Sequence, residues 1–393
     1  MSSGSSPHVL VVGGGVAGPA LALFLQKAGL SCALYEAHSY REGVGGGLGL
    51  APNGMKVLAA LGLADKLRTG ASTITRFDFR NTRGSRLGSV PMDPSVYGQP
   101  MMAMSRALLF ETLAEELRAR GVEHHFGKQL LDVEDRGGRT VARFADGTSA
   151  EGDLLIGADG TRSAVRSRLL PDARAEFTGL TGVGGFVPLS DVPPFAPEVM
   201  TFVLGRRGFF GYSGADTGTA MWWTNLFRDR EFTPAELRNV NPDEIRRELT
   251  ERFGGYHLPI PELVGRTNQF VLMNVSDVQS LPAWHRGRIM LIGDAAHAVS
   301  PNSGQGASLA LEDAMYLAKM LRDCGDFRDA YARFERDRKP RAERVVAEGR
   351  RRGGDKTLVG PVRQWFRERL ISLFVRLSGG KSDRWLYEYS IPW

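Results

Sequence analysis

The chain has 393 residues, of which 42% are hydrophobic and 24% are charged, as in ordinary globular proteins. This length exceeds one small core and predicts two closely joined domains or one two-lobed unit. The net charge of +6 comes with no basic block interleaved with aromatic residues and no zinc-ligand spacing, which argues against nucleic-acid recognition and a metal site.

The first predicted elements form a strand, a glycine-rich turn, a helix and a second strand. An apolar run over 8–12 predicts the first strand, residues 16–28 a helix that Gly29 ends, and residues 31–35 the second strand. Two cysteines, Cys32 and Cys324, imply no disulfide framework, and no stretch is long enough to span a bilayer. We therefore expect a cytoplasmic protein.

The rest of the chain alternates between α/β and β-rich segments. Ser105 predicts the cap of a helix that ends near Arg120, and buried strands are predicted over 153–156 and 288–292. Residues 176–226 are rich in aromatic residues and read as strands, residues 234–253 read as helix, and residues 269–275 as one more strand. After the strand over 288–292, helices predominate to the end. The predicted domains are a discontinuous dinucleotide-binding domain (1–70, 101–175 and 281–340), a β-sheet substrate domain (71–100 and 176–280) and a C-terminal helical segment (341–393).

The first motif is a G-x-G-x-x-G turn that spans Gly13–Gly18, directly after a strand and before a helix. Gly13 permits the tight turn, Gly15 lets the backbone approach a pyrophosphate, and Gly18 lets helix and strand pack closely. Glu36 ends the second strand, where a carboxylate can accept hydrogen bonds from ribose hydroxyls. The motif predicts a dinucleotide without choosing between FAD, NAD and NADP; a purely structural glycine turn is the alternative.

Two further motifs place an aspartate just after a predicted strand, where ligands bind in open α/β sheets. Asp159 lies in Gly157–Ser163, and Asp294 follows Gly293. Asp294 is placed to bind the ribityl hydroxyls of a flavin, and the N–H groups of residues 304–307 can face a ring that becomes anionic on reduction. The alternative is that both aspartates cap turns.

In this order, the motifs resemble the para-hydroxybenzoate hydroxylase family of flavin monooxygenases, over about residues 9–350. The specific stretches are GADGTRSAVR and GDAAHAVSPNSGQGASLALEDA, and Ser308 stands where many members of the family have Asn. The resemblance implies an α/β fold with an FAD-binding Rossmann-like (GR2-type) domain, an interleaved β-rich substrate domain and C-terminal helices. It implies these cofactor-binding residues: Gly13, Gly15, Val16, Ala17, Gly18, Glu36, Arg41, Arg106, Asp159, Gly293, Asp294, Pro301, Gly304, Gln305, Gly306 and Ala307.

The resemblance also implies the reaction. NADPH or NADH reduces FAD, O2 adds to the reduced flavin, and the resulting C4a-hydroperoxide passes one oxygen atom to the substrate. Hydroxylation, epoxidation and Baeyer–Villiger insertion stay open, as does the oligomeric state. The alternatives are a flavin oxidoreductase that does not hydroxylate, of the isoprenoid-reductase type, and a non-catalytic binding protein of the same fold. A flavin halogenase is disfavoured because a W-x-W-x-I-P segment is absent.

Aromatic residues in the β-rich segment predict an apolar, aromatic substrate. Because side chains alternate along a strand, some of them face a pocket and others the core of the lobe. The candidate pocket residues are Phe186, Phe202, Phe210, Tyr212 and Trp222. The candidates for a catalytic role are Arg206, Tyr212 and Pro301, although the hard chemistry belongs to the flavin.

The segment 362–377 has apolar residues at helical spacing and arginines between them. Such a basic amphipathic helix can lie on a membrane surface. Docking of the apolar stripe on the protein's own body is the favoured interpretation, since such stripes usually face a core.

Overall fold

The computed structural model describes residues 7–39, 45–353, 360–378 and 381–393. Its strands, in chain order, are β1 (His8–Val12), β2 (Ser31–Tyr35), β3 (Gly47–Leu50), β4 (Ser72–Ile74), β5 (Arg76–Arg80), β6 (Arg86–Pro91), β7 (Met101–Ser105), β8 (Glu123–His125), β9 (Leu130–Asp135), β10 (Thr140–Phe144), β11 (Ser149–Gly152), β12 (Leu154–Gly157), β13 (Glu176–Pro188), β14 (Val199–Gly205), β15 (Gly208–Gly214), β16 (Thr219–Phe227), β17 (Val271–Asp277), β18 (His285–Arg286) and β19 (Ile289–Leu291).

The helices, in chain order, are α1 (Ala17–Lys27), α2 (Pro52–Leu61), α3 (Ala64–Gly70), α4 (Pro94–Tyr97), α5 (Arg106–Ala119), α6 (Ala164–Leu169), α7 (Pro234–Arg238), α8 (Pro242–Phe253), α9 (Ile260–Arg266), α10 (Asp294–His297), α11 (Gly306–Asp323), α12 (Phe327–Gly353), α13 (Pro361–Ser378) and α14 (Arg384–Tyr387). In the part of the chain that the structure describes, none of these helices is long and apolar enough to cross a membrane.

A six-stranded sheet in the order β18-β19-β12-β1-β2-β8 forms the centre of the first lobe. The strands from β19 to β8 run parallel, and β18 is antiparallel to β19. Residues 9–12 of β1 are buried on both faces, as expected for a central parallel strand covered by helices. This sheet confirms the predicted α/β fold class.

A seven-stranded sheet in the order β17-β13-β16-β15-β14-β5-β6 forms the second lobe. Its neighbouring strands are antiparallel except for β14 and β5. One face, here called the outer face, packs on α8 and α9 through a buried cluster that includes Leu249 and Leu263. The opposite face, here called the inner face, packs on the first lobe through a cluster that includes Ala51 and Leu309.

The long helix α12 crosses the boundary predicted at residue 341. The helix continues through Pro340. Arg338 and Arg341, on either side of this proline, both bind Glu312 of α11. These ion pairs hold both halves of α12 against the first lobe, and the predicted domain bounds stay a prediction.

Candidate active site

The three sequence motifs meet at one edge of the six-stranded sheet. They follow β1, β12 and β19, which are neighbours in that sheet. Backbone hydrogen bonds join the strand ends: Ala158 N donates to Val12 O at 2.7 Å, and Ile292 N donates to Gly157 O at 3.0 Å. The motifs therefore line a single crevice at the carboxyl ends of parallel strands, where α/β sheets bind ligands.

The glycines of the first motif have different roles. Gly13 has a φ of +112°, and a Cβ there would lie 2.7 Å from Asp159 Cα. A Cβ on Gly18 would overlap Gly13 O and lie 3.2 Å from Leu34 Cδ1. Around a Cβ on Gly15, by contrast, no described atom lies within 4 Å. Gly13 and Gly18 thus permit the packing of the turn, and Gly15 leaves open the space through which a phosphate can approach.

Glu36 lies at the end of β2, beside this turn. Gly14 N donates to its Oε2 at 2.5 Å, and His38 N donates to its Oε1 at 2.8 Å. These bonds hold the carboxylate where the motif predicts a ribose. Arg106 begins α5, and its side chain is exposed. The backbone N–H of Arg106 donates to Gly46 O at 2.8 Å. Arg41 lies outside the described residues.

Asp159 caps α6. Its carboxylate accepts from Ser163 Oγ at 2.5 Å, Ala164 N at 2.7 Å and Val165 N at 3.1 Å. Burial raises the pKa of Asp159, and these hydrogen bonds act against that increase. The carboxylate therefore orients α6 at the crevice, which is the capping role left open as an alternative. Its contact with cofactors stays a prediction.

Arg166 is a residue of this site that the sequence analysis missed. Its side chain is buried, and its two terminal nitrogens donate to Ala295 O at 3.0 Å and Thr161 O at 2.6 Å. Desolvation lowers its pKa, while Asp159 and Asp294 raise it. Arg166 thus joins the second motif to the third. Its place at the end of GADGTRSAVR was the signal that could have pointed to it. Nothing in the sequence indicated its burial, because arginines are rarely buried.

Asp294, the first residue of α10, is half-buried. Among the hydrogen bonds of the described residues, none ends on its carboxylate. Gly304 then adopts a left-handed φ of +62° and turns the chain into α11, whose first turn lacks a capping side chain. The carboxylate of Asp294 can accept hydrogen bonds from ribityl hydroxyls. The N-terminus of α11, which has no capping side chain, can stabilise a ring that carries negative charge.

Three buried polar atoms near the start of α11 have no hydrogen-bond partner among the described residues: Gln305 Nε2, Ser308 Oγ and Asn53 Oδ1. Asn53 Nδ2 donates to Gln305 Oε1 at 2.9 Å, which leaves the amide nitrogen of Gln305 available. Buried polar groups rarely stay unsatisfied. These atoms and the open space at Gly15 fit a large polar cofactor such as FAD.

A buried ionic network around Asp313 lies behind the Gly293 turn of this crevice. Asp313 accepts from Gly293 N at 2.9 Å, from His297 Nε2 at 2.5 Å and from Arg338 Nε at 2.9 Å. Arg338 also pairs with Glu312 at 2.7 Å. His297 and Arg338 lower the pKa of Asp313 to about 2, although burial acts in the opposite direction. The network fixes the Gly293 turn to α11 and α12, and His297 is part of that support.

The inner face of the second lobe carries an aromatic cluster opposite the crevice. Phe202 stacks on Phe79 with ring centroids 5.5 Å apart and meets the edges of Phe77 at 5.6 Å and Trp223 at 5.9 Å. Phe186 packs on the same face. Of the predicted pocket residues, Phe186 and Phe202 therefore lie on the side of the first lobe.

The other three predicted pocket residues form the core of the outer face. Trp222 stacks on Phe210 with centroids 5.2 Å apart, and its Nε1 donates to Thr267 at 2.8 Å. Tyr212 packs edge-on against Phe195 at 5.2 Å. The prediction for these three is corrected, because the alternation of the strands turns them toward α8 and α9.

The candidates for a catalytic role separate in the same way. Tyr212 points away from the crevice, and Arg206 lies exposed in the turn between β14 and β15. Pro301 lies in the loop that leads into α11, at the crevice. That loop also meets the second lobe, since Asn225 Nδ2 donates to Asn302 Oδ1 at 2.8 Å. Only Pro301 of the three candidates is therefore placed at the crevice.

Comparison with known proteins identifies the family. Residues 7–349 match the model of the FAD binding domain family. The chain is 30% identical to an aurachin C monooxygenase/isomerase of Stigmatella aurantiaca (93% of this chain, 94% of that one) and 33% identical to a 3-amino-4-hydroxybenzoate 2-monooxygenase of Streptomyces platensis (98% and 96%).

A solved structure of Klebsiella pneumoniae HpxO complexed with FAD and uric acid superposes with a TM-score of 0.85, 25% identity and 97% coverage of each chain. The relatives are FAD-dependent aromatic monooxygenases, so the two alternative functions gain no support. With the shared crevice and the matching motifs, the chain belongs to the para-hydroxybenzoate hydroxylase family of FAD-dependent monooxygenases.

Proposed function

We propose that this enzyme inserts one oxygen atom of O2 into a neutral aromatic small molecule, with electrons from NADH or NADPH. One observation carries the proposal: Gly15, Asp294 and the N-terminus of α11 share one crevice, and the inner-face aromatic cluster lies on the other side of it. FAD, when bound there, supplies hydride acceptance and oxygen activation.

The residues of the crevice have distinct tasks in this proposal. The backbone at Gly15 and the N-terminus of α1 bind the pyrophosphate, and Asp294 accepts from ribityl hydroxyls. The N-terminus of α11 stabilises negative charge on the ring by roughly 0.3–2 kcal/mol. Gln305 Nε2, buried and without a described partner, donates to the same ring edge. The Asp313 network keeps these groups fixed, so that they need no rearrangement during the reaction.

The substrate class follows from the inner face. Four of its aromatic side chains, Phe77, Phe79, Phe202 and Trp223, pack together, and the amide of Asn225 meets the crevice loop at Asn302. None of these five carries a charge, and Arg206, the one charged candidate for a catalytic role, lies in the turn between β14 and β15. Aromatic rings stack on such a face and exclude water from it. A neutral ring with one hydrogen-bonding substituent fits better than the aromatic acids in the names of some relatives.

The experiment is a screen of neutral phenolic and heteroaromatic compounds, with matched carboxylated analogues, for stimulated NAD(P)H oxidation by the FAD-loaded enzyme. We expect a product one oxygen atom heavier, with the label incorporated from 18O2. Catalase and a no-substrate control measure electrons lost to H2O2. A product that gains two hydrogens instead would support a reductase, and faster turnover of the carboxylated analogues would contradict the proposed substrate class.

A further inference from the structure

The helix α13 exposes a continuous apolar stripe. Seven large side chains on one side of it are 53–77% exposed: Val362, Trp365, Phe366, Leu370, Leu373, Phe374 and Leu377. Their spacing of three and four residues places them along one side of the helix. The helical spacing favoured packing of this stripe on the protein's own body, and that prediction is wrong.

The opposite side of α13 fixes the helix in this orientation. Gln364 Nε2 donates to Leu204 O at 3.0 Å, and Ser372 Oγ donates to Leu87 O at 2.5 Å. Val375 is buried and packs on Gly88, where an added Cβ would lie 2.7 Å from it. Polar contacts and one valine thus hold the helix on the second lobe. The apolar stripe cannot turn inward without breaking them.

The charge on the exposed side has one sign. Arg363 and Arg369 are exposed on this side, and the guanidinium of Arg369 lies 5.2 Å from the ring of Trp365. The acidic residue of the helix, Glu368, is turned toward the body, where it accepts from Gln364 Nε2 at 2.8 Å. Apolar side chains rimmed by arginines complement an anionic lipid surface.

The stripe differs from the other exposed apolar residues of the described chain. Val96, Leu131, Leu258 and Met273 are exposed too, but they lie on separate elements. Scattered residues of that kind need no partner, whereas a contiguous patch marks an interaction surface. A second copy docked by twofold symmetry would bring the arginines of both helices together, and this repulsion disfavours a dimer through the stripe.

We propose that α13 is a membrane-surface element that binds anionic lipid bilayers, lying in the interfacial plane with its apolar stripe among the acyl chains. The stripe supplies apolar burial, and Arg363 and Arg369 bind lipid phosphates. The second lobe is thereby held against the bilayer, because β6 and the β14–β15 turn carry the helix.

The test is co-sedimentation of the full-length, FAD-loaded protein with vesicles of phosphatidylcholine alone or of about three parts phosphatidylcholine to one part phosphatidylglycerol. We expect preferential binding to the anionic vesicles, weakened by salt. The double variant Leu370→Asp and Leu373→Asp should bind at least tenfold more weakly. The control is Leu131→Asp, since the side chains of Leu131 and Leu373 are both 53% exposed in the wild type; it should bind like the wild type. Arg363→Gln with Arg369→Gln should weaken binding to anionic vesicles by roughly tenfold or more.

Three results would overturn the proposal: wild-type protein that stays in solution with both vesicles, a stripe variant that binds as well as the wild type, or a wild-type dimer that the stripe variant dissociates, which would assign the stripe to a second copy. FAD content and thermal unfolding report whether each variant is folded. Trp365 gives an independent measurement on the unaltered stripe: brominated lipids should quench its fluorescence, and the Trp365→Phe protein should lose that component. Unquenched Trp365 would also contradict the proposal.

Discussion

Gly15 and Gly18 allow a direct comparison of ligand approach with internal packing. In Gly15→Ala, the new methyl group enters space without a described atom within 4 Å, and the backbone φ is not left-handed. We therefore expect the FAD-free protein to keep its free energy of unfolding within about 1 kcal/mol. The methyl group occupies the path of the pyrophosphate, so FAD should bind at least about tenfold more weakly, a loss of about 1.4 kcal/mol.

Gly18→Ala has the opposite profile. Its methyl group would overlap Gly13 O and press on Leu34, which must separate helix from strand in a fully buried core. We expect the unfolding free energy to fall by about 1–3 kcal/mol or more. Urea unfolding of the FAD-free proteins and FAD titration by flavin fluorescence measure both quantities. The reasoning is refuted if Gly15→Ala binds FAD as tightly as the wild type, or if Gly18→Ala unfolds at the wild-type midpoint.

Three further predictions follow from the same geometry. Asp294→Asn should weaken FAD binding about tenfold in the same titration and lower the unfolding free energy of the apo-protein by less than about 1 kcal/mol, because this carboxylate accepts no hydrogen bond from a described residue but its charge favours the nearby Arg166 guanidinium. The pKa of Asp313 lies at about 2, below its ordinary 3.8, so this group contributes about 2 kcal/mol of stability above pH 4 that is lost as the pH falls toward 2. Urea midpoints between pH 5 and 2 should show this fall in the wild type, and an equal fall in Asp313→Asn would disprove it. Trp223→Leu should raise the KM for the substrate and spare folding, whereas Trp222→Leu should lower the unfolding midpoint and spare KM; the reverse pattern would exchange the two faces.

The first lobe could be predicted from the sequence because its signals are local. The apolar run before Gly13 and the glycine spacing after it define strand, turn and helix within about twenty residues. Ser105 was correctly identified as a helix cap, and its Oγ accepts from Leu108 N at 3.2 Å. The position of Asp294 after a buried strand was equally readable, since strand ends in parallel sheets share an edge.

The inner and outer faces could not be separated in advance. Alternation shows that Trp222 and Trp223 point in opposite directions, but it does not show which direction leads to the crevice. That choice depends on α8 and α9, which cover one face only after the chain folds. The same ambiguity affected α13, whose periodicity defines an apolar side without showing whether it faces protein or solvent.

The burial of charged side chains also could not be predicted from the sequence. Arg166, Glu312 and Arg338 lie in segments that read as ordinary amphipathic helix, where charged residues are expected on the surface. They are buried because each one finds a partner from a distant segment, and such pairs are not visible in sequence spacing.

A crystal structure of the protein with FAD tests the central claim most directly, because the account places the ends of β1, β12 and β19 around a single cofactor. We predict one FAD per chain, with its pyrophosphate at Gly15, its ribityl hydroxyls at Asp294 and its ring at the N-terminus of α11. An FAD that contacts Gly15 while Asp294 and α11 line a separate cavity would contradict the account.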